Sequence, residues 1–128
     1  MPIKTSKKYN VLSAFGAFLI WGCWAYFVNS NTSNPYSAIV SGLAQGTASF
    51  VITFIMVRFV SVFFNNLQAS WAKLILPSFL TICITGSFLA LMHYLIGTSK
   101  IFFTVAPALT VAFIFCFYTT LQLRKNSL

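Results

Sequence analysis

The sequence predicts an all-α membrane protein, a bundle of four transmembrane helices with cytoplasmic N- and C-termini. Three observations predict it. Four apolar runs, at about residues 9–28, 37–64, 72–96 and 101–123, each reach the roughly 20 residues that a bilayer span needs. Of the 128 residues, 59% are hydrophobic and 6% charged, where a soluble domain carries roughly 25% charged residues to cover its surface. The cations are also lopsided: Lys4, Lys7, Lys8, Arg58, Lys73, Arg124 and Lys125 fall on one side of a four-span topology, and Lys100 alone on the other. That bias places the tails and the middle loop in the cytoplasm. The chain, 1–128, is expected to form one domain, in a membrane of the bacterial inner type.

The first run is too long for a signal-peptide core and lacks an Ala-x-Ala-like cleavage site, so it is expected to stay as a helix. Asn29 to Pro35 then reads as a loop, rich in residues that favour turns. It contains a glycosylation sequon, Asn31-Thr32-Ser33. The second run exceeds one perpendicular span, because 39–57 already covers about 30 Å at 1.5 Å per residue. Arg58 is expected at the far interface, followed by an amphipathic extension that carries Ser61, Asn65 and Gln68 on its polar side. In the third span Pro77 frees the carbonyl of Lys73, and in the fourth Pro107 frees that of Phe103. Gly97 to Lys100 is a tight connection, so the third and fourth helices should be antiparallel neighbours. Tyr9, Trp71 and Tyr118 read as an inner aromatic belt, and Trp24, Tyr26, Tyr36 and Tyr94 as an outer one.

One stretch of the second span stands out. On a helix, Ala38, Gly42, Gln45, Gly46, Ser49 and Thr53 share a stripe, because neighbours on one face lie three or four residues apart. Gly42 and Gly46 make a small-xxx-small step that admits another helix. Gln45 lies in that seam with an amide that hydrocarbon cannot satisfy. The candidate groove is therefore Ser41, Gly42, Gln45, Gly46, Ser49 and Thr53, for a ligand or a docking helix. Arg58 and Lys73 are the candidate contacts for an anionic headgroup. A bundle this small is expected to complete its seam with a second copy or with a larger membrane protein.

Composition narrows the function classes. The chain has eight Lys and Arg and no Asp or Glu. Catalysis by paired carboxylates is excluded, and a cation-coupled carrier, which usually holds an acidic residue in the membrane, is disfavoured. Cys23, Cys83 and Cys116 are too far apart for a disulfide framework or a metal site. His93 reads as a wet interfacial side chain, with no acidic partner for a triad. No cofactor motif is present, and the cations beside apolar spans point to anionic lipid and not to nucleic acid.

In size, number of spans and basic character the chain is similar to small flippases for polyprenyl-phosphate sugars, a likeness of shape without a shared motif. The first expectation is a non-enzymatic lipid-handling or transport component that binds an anionic amphiphile. The second is an accessory or immunity-type subunit that packs against a larger membrane protein through the glycine stripe.

Overall fold

The computed structural model describes residues 6–31 and 34–127. Lys4 and the Thr32-Ser33 part of the sequon lie outside these residues. Within them the chain forms four helices: α1 (Lys7–Asn29), α2 (Pro35–Asn66), α3 (Ser70–Ile96) and α4 (Ile101–Asn126). All four are long and apolar enough to cross a membrane, consistent with a multi-pass integral membrane protein. Large apolar side chains such as Leu12, Phe27, Phe79, Leu95 and Phe102 cover the outside, a surface that suits hydrocarbon and not water.

Local chemistry sets the helix ends. The Ser6 hydroxyl accepts from Tyr9 N at 3.1 Å and caps α1. Asn34 Oδ1 accepts from Tyr36 N at 3.0 Å and caps α2, whose first residue is Pro35. A proline loses nothing there, since its missing N–H would have had no partner. At the end of α3, Gly97 takes φ +77°. Gly97 N donates to Tyr94 O and Thr98 N to His93 O, the paired bonds of a Schellman turn. That turn folds Thr98 back over the last turn of α3.

α2 runs unbroken for 32 residues, about 48 Å, so the extension beyond Arg58 is one continuous helix. Its polar side chains there bond to their own helix: Ser61 Oγ to Val57 O, and Asn66 Nδ2 to Val62 O. α2 is also the central helix, packed against each of the other three. Ile52, Met56, Val60 and Phe64 of α2 meet Leu89 of α3 and Val105, Cys116 and Leu123 of α4 in the core. Every residue of the small-residue stripe is buried, so the face read from its spacing is the inner face. α1 lies along α2, meets α4 more sparingly, and does not pack on α3.

Candidate functional site

α1 and α2 approach each other backbone to backbone at their glycines. A Cβ built on Gly22 would lie 3.2 Å from Gly42 O and 3.4 Å from Gly46 Cα. One built on Gly46 would lie 3.1 Å from Phe18 O and 3.3 Å from Gly22 Cα. Backbone touches backbone, as small residues permit in lipid. The expectation that a second copy or another protein fills the notch at Gly42 and Gly46 is corrected here, because α1 fills it. The signal was present in the first span: Ala14, Gly22 and Ala25 follow a helical repeat, and both alanines are fully buried.

Gln45 finds its partners inside the chain. Its Nε2 donates to Ser49 Oγ at 3.1 Å, and its Oε1 lies 2.6 Å from His93 Nε2. With the amide so oriented, His93 Nε2–H is the donor. Nδ1 then accepts from Thr98 Oγ1 at 2.7 Å, and Thr98 accepts from the Ser41 hydroxyl at 3.0 Å. A single directional chain thus runs Ser41, Thr98, His93, Gln45, Ser49 and ties α2 to α3 and to the loop after it. His93 is fully buried, which corrects its reading as a wet interfacial residue. The Schellman turn supplies the reason, since it brings the Thr98 hydroxyl onto the ring.

α1 and α4 are clamped at both ends. At one end Tyr9 Oη meets Thr119 Oγ1 at 3.0 Å, and its ring stacks on Phe115 with centroids 5.8 Å apart. At the other, Trp24 Nε1 donates to Phe103 O at 3.0 Å. That carbonyl is the one Pro107 deprives of its helical donor, so the indole restores the missing bond. Asn29, expected in a loop, instead closes α1. It is fully buried, donates to Ala25 O and Thr104 Oγ1 at 2.9 Å each, and accepts from Lys100 N at 3.1 Å. Asn29→Ala should cost about 1–3 kcal/mol, because it removes three hydrogen bonds and leaves the buried Thr104 Oγ1 and the Lys100 N–H without this partner. Thermal unfolding in detergent measures it, and an unchanged midpoint would contradict the pin.

Between the clamps the two helices part. Residues from Ser13 to Trp21 on α1 and from Ala108 to Phe115 on α4 border a crevice of about 220 Å³. Gln45, Ser49 and Thr53 of α2 and Thr85 of α3 lie in its lining. Ser49 Oγ accepts from Gln45, so its own proton remains to donate. Thr53 and Thr85 give their protons to Ser49 O and Thr81 O and keep acceptor lone pairs. The crevice therefore has apolar walls and a neutral floor that can both donate and accept. A Cβ on Gly16, which lines it, would meet nothing within 4 Å.

The expected site residues fall into three groups. Gln45, Ser49 and Thr53 line the crevice. Gly42 and Gly46 are covered by α1, and Ser41 is spent on Thr98. Arg58 and Lys73, the expected headgroup contacts, do not line the crevice. Arg58 is exposed and borders a separate shallow groove with Phe50 and Phe54. Lys73 Nζ sits 4.8 Å above the Phe64 ring. On α3, Ser78 Oγ and Thr81 Oγ1 are buried without a hydrogen-bond partner among the described residues, and they do not line the crevice. The described residues contain no cluster of His, Cys, Asp or Glu able to hold a metal ion. No protein family, curated protein or solved structure matches the chain, so a functional reading rests on this geometry.

Proposed function

We propose that the protein is a non-enzymatic lipid-handling component of a bacterial-type inner membrane, with cytoplasmic termini, and that it binds an anionic amphiphile. The crevice between α1 and α4 is the observation that carries the reading. Two helices pinned at both ends and parted in the middle leave an opening toward the surrounding bilayer, where one acyl or isoprenoid chain can enter. Its apolar walls suit such a chain. Its floor offers neutral hydrogen bonds and no charge, so the anionic group must lie outside it, at an end of the bundle. The chemistry supports binding over catalysis: the sequence has no Asp or Glu, and both nitrogens of the single histidine are engaged by Gln45 and Thr98.

Gly16→Phe tests the reading. Gly16 lines the crevice and a Cβ there meets nothing within 4 Å, so the position has room for a bulky side chain that competes with a lipid chain. Native mass spectrometry of gently extracted protein should show a retained lipid in the wild type and in Gly16→Ala, and none in Gly16→Phe. The thermal midpoint of Gly16→Phe should be unchanged or raised, which separates displacement from misfolding. Equal lipid retention in Gly16→Phe would contradict the reading.

A further inference from the structure

We propose that the phosphate of an anionic phospholipid is held at the end of the bundle bearing both termini, by Lys7 and Lys8 of α1 with Arg124 and Lys125 of α4. One chain of that lipid runs into the crevice. The assignment deepens the preceding reading, on which it rests, and replaces Arg58 and Lys73 as the headgroup contacts.

Four observations lead there. The Tyr9 to Thr119 bond and the Tyr9–Phe115 stack hold the first turn of α1 against the last turns of α4, so all four cations gather at one end, and all are exposed. The sequence offers them no side-chain carboxylate, so an anion from outside meets no competition from an acidic side chain. Lys7 and Lys8 also stand in the first turn of α1, which contains no acidic residue. Cations are disfavoured at that positive end of a helix, whereas the free N–H groups there attract a phosphate. Finally, Lys8 precedes Ser13, the first crevice residue of α1, by five residues, about 8 Å along the helix. That spacing suits a phosphate at the rim with its chain rising over the Tyr9–Phe115 stack. Tyr118, whose hydroxyl accepts from Gln122 Nε2 at 2.7 Å, retains a proton to donate at the same rim.

Chain-brominated lipids test this, because Trp21 lines the crevice and bromine quenches indole emission on contact. The full chain is placed in phosphatidylcholine nanodiscs carrying a low mole fraction of either brominated phosphatidylglycerol or brominated phosphatidylcholine. The Trp21 signal is wild type minus Trp21→Phe. Brominated phosphatidylglycerol should quench Trp21 several-fold more strongly than brominated phosphatidylcholine. Each of Lys7→Gln, Lys8→Gln, Arg124→Gln and Lys125→Gln should lower that preference, by up to about five-fold per charge. Arg58→Gln with Lys73→Gln should leave it intact. Strong quenching by both lipids alike, or a preference lost only in the Arg58 and Lys73 pair, overturns the headgroup assignment while the crevice reading stands. Quenching at the random-encounter level for both lipids overturns the crevice reading itself, and the headgroup site with it.

Discussion

Gly46→Leu should detach α1 from α2 and lower stability by more than about 3 kcal/mol, above the usual range for overpacking a core. A core methylene can be absorbed when side chains move, but the two nearest groups facing Gly46 are backbone. Its Cβ position lies 3.1 Å from Phe18 O and 3.3 Å from Gly22 Cα. Neither atom can move without displacing the whole of α1. Gly16→Leu, in the other span, should be tolerated, because nothing stands within 4 Å of that position. Denaturant titration in detergent compares the two variants, and equal stability would contradict the backbone contact.

His93→Leu is the second large effect, expected at about 2 kcal/mol. It removes two hydrogen bonds and leaves Gln45 Oε1 and Thr98 Oγ1 buried without those partners, and stranded groups cost more than the bonds themselves contribute. Polar pairs between membrane helices average about 0.6 kcal/mol in double-mutant cycles, with a maximum near 1.7. Contacts of 2.6 and 2.7 Å to the two ring nitrogens place this pair toward the upper figure. Adding Gln45→Leu to His93→Leu should recover part of the loss, since two apolar groups then face each other. Unfolding midpoints of the four species give the coupling energy. A coupling of zero would contradict the Gln45–His93 bond. The nitrogen-15 spectrum offers an independent check: Nε2 should show the shift of a protonated nitrogen and Nδ1 that of an unprotonated one.

The four helices were legible because bilayer physics writes them into composition, and length and hydropathy suffice to find them. The inner face of α2 was legible too, since Gly42, Gln45, Gly46, Ser49 and Thr53 obey the helical repeat. Their partners were not, because contacts between helices leave no mark at fixed sequence spacing. His93 lies 48 residues from Gln45, and nothing local announces the bond. Asn29 looked like a loop residue because its side chain competes with helical hydrogen bonding. Here Thr104 Oγ1 and Lys100 N at the start of α4 engage that side chain instead, and the helix extends to it. Trp24 looked like a belt residue because its one donor had no visible acceptor. The Phe103 carbonyl, freed by Pro107, is that acceptor. Arg58 could have been separated from the groove by sequence alone: thirteen residues beyond Gln45, it lies about 220° around the helix at about 100° per residue.

The occupant of the crevice can be observed directly by nuclear magnetic resonance. The protein, perdeuterated except for its alanine methyl groups, is placed in chain-deuterated detergent with an equimolar amount of protonated phosphatidylglycerol. Ala17, Ala108 and Ala112 line the crevice, whereas Ala44 and Ala48 line a separate apolar groove between α2 and α3. Chain protons of the lipid should give nuclear Overhauser contacts to the first three methyl groups and not to the other two. Contacts confined to Ala44 and Ala48 would show that no lipid chain occupies the space between α1 and α4, and contacts spread evenly over all five would show that the chain does not prefer it.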